Sequence, residues 1–409
     1  MKFKIAVIGA GPAGVMSSIE ASHNGCKVIL IEKNPYVGKK LLLTGKGRGN
    51  LTNMDKLDKF LTHFNKNASF LRDAFKEFSN KDLCSFFTSR GLSLKTERQN
   101  RVFPVSDKAE DLVNVLNSSL KSKNIELVLN TKVSDILVKK SAIAGVVLES
   151  GKVIETDKVI LATGGKSFPQ TGSTGDGFIF ASKLGHSVTK LKSGLVALVS
   201  NEKWVRSLQG LTLKNVTATF KQKNKKITSP VGEALFTHFG ISGPLVLDIS
   251  NRINSWLDSG LVSVNIDLKP GLNAQQLEDK FQRETKGKKE IKSFLKTLLP
   301  LRLVDVFIDR CNVSEHKSIS QITKKERQNI VGLLKSLDFK VSSTLGLDKA
   351  MVTCGGVVLK EIDPRSMQSR LIKGLYFAGE IIDVDGISGG YNLQAAFSTG
   401  YLAGKSASI

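Results

Sequence analysis

Acidic residues are scarce in this chain. Aspartate and glutamate number 37 against 60 lysines and arginines over 409 residues, a formal net charge of +23. Such a field draws anions of every kind, from nucleotides and nucleic acid to anionic lipid and acidic proteins, and so supports non-specific binding more than it assigns a function. The lysines are scattered. Short clusters at Lys223 to Lys226 and Lys286 to Lys289 fall where turns are expected, with no interleaved aromatics of an RNA-binding kind. The expectation is a solvated, lysine-rich surface, with nucleic acid not an expected partner.

Cysteine is equally sparse. Cys26, Cys84, Cys311 and Cys354 are far apart and form no Cys-x-x-Cys, so neither a zinc site nor a dithiol pair is signalled and no metal is expected. A reducing cytoplasm fits. No apolar run reaches about 18 residues, so no membrane span is expected. The start of the chain, Lys2 and Lys4 followed by IAVIGAGPAGVM, imitates a signal peptide, but its glycine spacing has a better explanation. There are only five histidines, and no HExxH, Ser-His-Asp or paired-carboxylate arrangement stands out.

What is present is glycine, 36 residues of it, in a chain 41% hydrophobic, ample for a core spread over two or three domains. FKIAVI (3–8) reads as a buried parallel strand, followed by Gly9, Gly11, Pro12, Ala13 and Gly14, a helix over about 12–24, and a second strand, KVILIE, ending at Glu32. Gly9 permits the tight turn, Gly11 lets a pyrophosphate approach the backbone, and Gly14 lets helix and strand pack closely. The helix start offers free N–H groups to phosphate. Pro12 is tolerated in the first turn. Glu32 falls where a carboxylate accepts from ribose hydroxyls, and its charge argues against a 2′-phosphate. These features predict a dinucleotide site; alone they do not choose between FAD and NAD. Lys33 is grouped with the same site.

Two more strands end in glycine motifs: DKVILATG (157–164), with Ala162, Thr163 and Gly164, and GLYFAGE (374–380), with Gly379 and Glu380. The second leads through a Gly-rich turn into a C-terminal helix with small residues at Ala395, Ala396, Gly400, Ala403 and Gly404. Together with the first fingerprint these motifs resemble the FAD fold of the glutathione-reductase-like superfamily. That resemblance implies that Glu380 contacts the ribityl or pyrophosphate, that Val133 contacts the adenine through its backbone, and that the last helix, near Gly390, Asn392, Leu393 and Gln394, faces the flavin pyrimidine edge. A helix N-terminus suits that place, because reduced flavin is anionic.

A narrower resemblance covers the whole chain. GKKLLLTGKGRGNLTN (38–53), RVFP (101–104), TGGKSFPQTGSTGDG (163–177), LFTHFGISGP (235–244) and GGYNLQAAFSTGY (389–401) are similar to the aminoacetone oxidase-like flavoproteins, a family that includes bile-acid-inducible steroid reductases. That family usually has Cys after the Arg of the first motif; here it is Gly49. Within the first motif Lys39, Lys40 and Arg48 offer cations to the pyrophosphate or flavin, Thr44 and Gly45 shape the loop, and Asn50 and Asn53 offer amides; a basic surface loop is the alternative.

The expected fold is α/β: a discontinuous Rossmann-like FAD-binding domain (1–190 and 346–409) with a β-rich insert on the substrate side (191–270) and a helical insert (271–345). The inserts lack a second GxGxxG, so NADH or NADPH would dock only transiently, or the substrate itself would reduce the flavin. His238, read in a Gly-rich loop within LFTHFGISGP, is the first candidate for proton handling or substrate binding, and a surface or packed histidine is its alternative. Arg101 is a candidate anchor for a substrate carboxylate or carbonyl, or else a surface ion pair. Tyr391 and Cys354 read as packing residues near the flavin end. The expected function is an FAD-dependent oxidoreductase of a small amine, ketone or enone, with NAD(P)H or O2 as co-substrate. An RNA-modifying flavoprotein and a flavin-loaded sensor without turnover are the alternatives.

Overall fold

The strand Phe3–Ile8 is apolar apart from Lys4, which is exposed near its start, and Ile5 to Ile8 lie buried in the middle of the sheet. The structure is a computed structural model that describes residues 3–284 and 289–409; Lys2, and Lys286 and Lys288 of the second lysine cluster, lie outside them. Val28–Ile31 pairs parallel on one side of the first strand, followed by Ile125–Val128. Val153–Leu161 pairs on the other side, followed by Leu375–Phe377. Strand order therefore reverses at Phe3–Ile8, and the crevice at its carboxyl end is the switch point where such sheets bind ligands. Val153–Leu161 is long enough to do two jobs. Its first residues pair antiparallel with Ala142–Leu148, which in turn pairs with Val133–Lys139.

The helix Pro12–His23 carries the fingerprint, and Tyr391–Ser408 packs along it. Their approach depends on missing side chains: a Cβ on Gly400 would stand 2.3 Å from the Ala13 carbonyl oxygen, and one on Gly404 would stand 2.4 Å from that of Ser17. The small residues of the last helix thus act in backbone contact, as their spacing predicted.

The chain divides into two units, Met1–Gly194 with Leu347–Ile409, and Leu195–Gly346. In the second unit the expected β-rich and helical stretches share one hydrophobic core, because Leu337–Val341, beyond the helices, pairs with Val262–Asp267, before them. Its antiparallel sheet continues through Thr212–Gln222, Gly232–Thr237 and Gly240–Ser242. Phe220, Phe236 and Phe339 fill one face against Pro244–Leu257, Leu301–Cys311 and Lys324–Lys335. Thr323 and Glu326 form a capping box that starts the last of these helices. LVALVS (195–200) shortens to a strand of two residues, Leu198–Val199. Among the described residues no helix is long and apolar enough to cross a membrane.

Candidate functional site

At the switch point each fingerprint glycine has a distinct steric role. Gly9 has φ +100°, and a Cβ there would meet the Ala162 carbonyl oxygen at 2.6 Å. A Cβ on Gly14 would fall 1.8 Å from the Gly9 carbonyl oxygen, so helix and turn touch directly. Nothing lies within 4 Å of a Cβ on Gly11, which faces open space at the helix start. The first turn-closing bond after that turn runs from Val15 N to Gly11 O at 2.9 Å, so the amides before it are available to an anion.

Glu32, buried at the end of Val28–Ile31, accepts from Ala10 N at 2.7 Å, from Asn34 N at 2.8 Å and from Asn34 Nδ2 at 2.7 Å. A carboxylate has about four acceptor positions, so one remains for a ribose hydroxyl. Lys33 pairs with Asp176 at 2.7 Å, and Lys39 reaches Asn34 Oδ1 at 3.4 Å. Val133 is buried at the start of its strand, opposite Leu148.

The Ala162–Gly164 motif leaves an unusual vacancy of bonding. Thr163 Oγ1 is buried without a hydrogen-bond partner. It packs against the helix Asp176–Lys183, where a Cβ on Gly177 would stand 2.0 Å from it. Pro12, Ala13 and Gly14 lie on the same crevice, and the C-terminal motif comes close to them at Gly379 (φ +77°), where an added Cβ would stand 2.9 Å from the Ala13 Cβ. Lys40 donates to Glu380 Oε2 at 2.8 Å and to Ser167 Oγ at 2.7 Å, while Glu380 Oε1 accepts from Thr353 N at 2.7 Å. A dinucleotide the size of FAD fits these features: an open approach at Gly11 and a held acid at Glu32.

The first long motif folds back beneath the last helix. Thr44 Oγ1 bonds to Leu41 O at 2.7 Å, after which Gly45, Lys46 and Gly47 all take positive φ. Arg48 stacks over Phe103 at 4.2 Å and bonds to Glu97 and to Asp107, which together push its pKa up. Its guanidinium thus serves to hold the loop to the Arg101–Pro104 strand. Asn50 accepts from Gly390 N at 3.0 Å and donates to Thr52 O at 3.3 Å. Asn53 donates to Gly389 O at 3.3 Å, and Thr52 Oγ1 donates to Gln394 Oε1 at 2.6 Å. Gly390 (φ +99°) has no room for a side chain, because a Cβ would lie 2.4 Å from the Thr52 carbonyl. Asn392 is occupied by the loop before it, accepting from Gly386 N at 2.8 Å, and Leu393 is half-buried.

Sequence reasoning missed the charge behind this helix start. Asp55 is buried and accepts from Tyr391 Oη at 2.9 Å, Lys59 Nζ at 2.7 Å and Asn100 Nδ2 at 2.9 Å, with His63 Nε2 at 3.3 Å. Burial opposes its ionisation, but the bonds from Lys59, Asn100 and Tyr391 outweigh it and hold the pKa at about 2. Tyr391 is therefore anchored by its hydroxyl as well as packed between Phe60 and His63. Ser167, Thr353 and Asp176 were also missed, although all three lie in or beside the quoted motifs.

Of the two residues read as catalytic, Arg101 is half-buried; its Nε donates to Arg98 O at 3.2 Å. His238 occupies the turn of a hairpin, Gly232–Thr237 with Gly240–Ser242, where a glycine-rich loop was expected. It is exposed, with its ring edge-on to Phe239 at 4.8 Å. The two residues lie in different units. Cys354 is half-buried, and burial followed by the nearby Asp385 drives its thiol pKa far up, which leaves it unreactive.

The family described as HI0933-like protein Rossmann domain matches residues 3–406. The 3-dehydro-bile acid delta(4,6)-reductase of Clostridium scindens is 32% identical over 99% of this chain and 98% of its own. The ribosomal RNA dihydrouridine synthase of Haemophilus influenzae is 30% identical over 98% of both chains. Among solved structures, a 3-ketosteroid-delta4-(5alpha)-dehydrogenase from Rhodococcus jostii RHA1 aligns over 100% of this chain and 97% of its own with a TM-score of 0.55. At 15% identity, that likeness speaks for the fold alone.

Proposed function

The chain belongs to the HI0933-like Rossmann family, whose relatives are FAD-dependent oxidoreductases, and from that premise we propose that it reduces a carbon–carbon double bond conjugated to a carbonyl. The names of two full-length relatives support this class. A delta(4,6)-reductase and a dihydrouridine synthase both saturate a double bond beside a carbonyl, one in a steroid and one in a pyrimidine.

The structural observation that carries the proposal is the start of the last helix. Asn50 and Asn53 hold Gly390 and Gly389, and Thr52 holds Gln394, so the positive end of an 18-residue helix is fixed by three side chains. Bound FAD supplies the hydride. A rigid helix N-terminus favours the anionic ring of the reduced cofactor over the neutral oxidised ring. We assign to Glu32 the ribose hydroxyls, to the amides after Gly11 the diphosphate, and to Arg101 the substrate carbonyl. The reductant in this reading is NADH or NADPH. It docks transiently, since the chain has no second glycine fingerprint.

A second reading takes a uridine in RNA as the substrate, since a relative 30% identical over 98% of this chain is named a ribosomal RNA dihydrouridine synthase. The net charge of +23 is compatible with a polyanion without selecting it. The experiment is anaerobic incubation of the FAD-loaded protein with NADH or NADPH and, separately, a steroid dienone or ribosomal RNA, followed by mass spectrometry. A gain of two hydrogens in either substrate supports the proposal, and in RNA it selects the second reading. No gain in either, with consumption of an amine and O2 instead, would replace the reductase by an oxidase.

A further inference from the structure

Three of the lysines that are scattered in sequence line up in space. From Lys203 to Gly232 the chain carries seven lysines and arginines and no acid. This stretch forms Thr212–Gln222, which turns back into Lys225–Thr228. Register then sets residues from four strands in one row: Lys226 faces Lys221, Lys221 faces Ser263, and Ser263 faces Lys340. The row lies on the polar face of the sheet, since Ala218, Phe220, Val264 and Phe339 occupy the buried one. With strands about 4.8 Å apart, the row spans about 14 Å. All three lysines are exposed, and none has an acid within ion-pair reach among the described residues.

Like charges directly opposite on paired strands destabilise a sheet, so Lys221 against Lys226 needs a reason. Lysine on an edge strand discourages edge pairing, which accounts for Lys226 and Lys340. It does not account for Lys221, whose strand is paired on both sides. The acids on the same face are already matched: Asp338 pairs with Arg310 at 2.7 Å and Asp267 with Lys335 at 2.7 Å. The next row of the same face is Thr228, Thr219, Asn265 and Asp338, short polar side chains with no aromatic among them.

We infer that this face binds the phosphate backbone of RNA. The inference rests on the second reading above, that RNA is the substrate. A row of cations with short polar neighbours and no aromatic platform suits phosphates and sugars rather than stacked bases. Such contacts add affinity without sequence preference.

The test uses the FAD-loaded protein, a uridine-rich single-stranded RNA, and binding measured against salt. K221Q/K226Q/K340Q is expected to weaken binding at low salt by about ten-fold or more and to flatten the log–log salt slope by about 2, at roughly 0.7 per lost contact. K139Q/K140Q, on the exposed turn of the other unit, is expected to leave that slope near the wild-type value. K221E is expected to melt at a higher temperature than wild type yet bind RNA less well. This pairing is the signature of a repulsion kept for binding, and it keeps the test open should the triple variant fold poorly. A wild-type slope in the triple variant, or an equal loss in the control, overturns the inference, and so does preference for phosphatidylserine vesicles over RNA. If wild type makes dihydrouridine but the lysine variants bind as it does, the surface is wrong and the substrate stands. If RNA binds through these lysines but no dihydrouridine forms, the surface stands and the substrate is wrong.

Discussion

The Lys40 ammonium stands 2.8 Å from the Glu380 carboxylate, across 340 residues of sequence, and closes the crevice with a bond between its first and last motifs. The other oxygen of Glu380 takes the Thr353 amide, so one half-buried side chain ties three segments together. Glu380→Gln keeps the shape and removes the charge. A hydrogen bond to a charged group is worth roughly 1.5–3 kcal/mol, so FAD should be held roughly ten-fold to a hundred-fold less tightly. Equilibrium dialysis of the flavin reads this directly.

Glu32→Arg should abolish FAD retention. The substitution strips the acceptor from Ala10 N and Asn34 and puts a cation where the ribose acceptor stood. The flavin-to-protein absorbance ratio after gel filtration should fall to background; full loading would place the nucleotide elsewhere.

Gly49→Cys should destabilise this chain. Gly49 has φ +77°, and a Cβ would come within 2.8 Å of Leu112 Cδ1 and 3.0 Å of Ala109 Cα. Left-handed strain with overpacking should cost about 1–3 kcal/mol, seen as a lower urea midpoint.

Asp55 gives the protein an acid limb. Its pKa is about 2 in the folded chain against 3.8 for the ordinary carboxyl, so the folded state binds the proton less readily than the unfolded state. Its contribution is fully present above the unfolded value of 3.8 and disappears as pH falls through about 2. At 1.36 kcal/mol per unit, it is worth about 2 kcal/mol. Asp55→Asn should lower stability at neutral pH by about that amount and flatten the acid limb, as read by urea unfolding at a series of pH values.

How much was legible in the sequence depended on how local the cause was. Gly9, Gly11 and Gly14 announced their turn because each acts within a few residues of itself. The contact of Gly400 with Ala13 was visible only as a preference for small residues, since the partner helix lies at the other end of the chain. Asp55 and Tyr391 were not paired in advance: they are 336 residues apart, and neither has a local pattern that names the other. The union of the two expected inserts in one core was hidden for the same reason, because Leu337–Val341 returns to its strand partner only after the helices. His238 was read in a loop since its flanking glycines suggest one, whereas pairing of Phe236 with Ile241 makes a hairpin. The row Lys226, Lys221 and Lys340 comes from strand register, which composition does not contain.

The most direct measurement of the central claim is anaerobic stopped-flow of the protein with its flavin already reduced. Mixed with a steroid dienone or uridine-containing RNA, the reduced flavin should regain its yellow absorbance as the double bond is lost, one equivalent for each flavin. A flavin that stays reduced with both substrates, and is reoxidised only when O2 is admitted, would contradict the assignment to conjugated double-bond reduction.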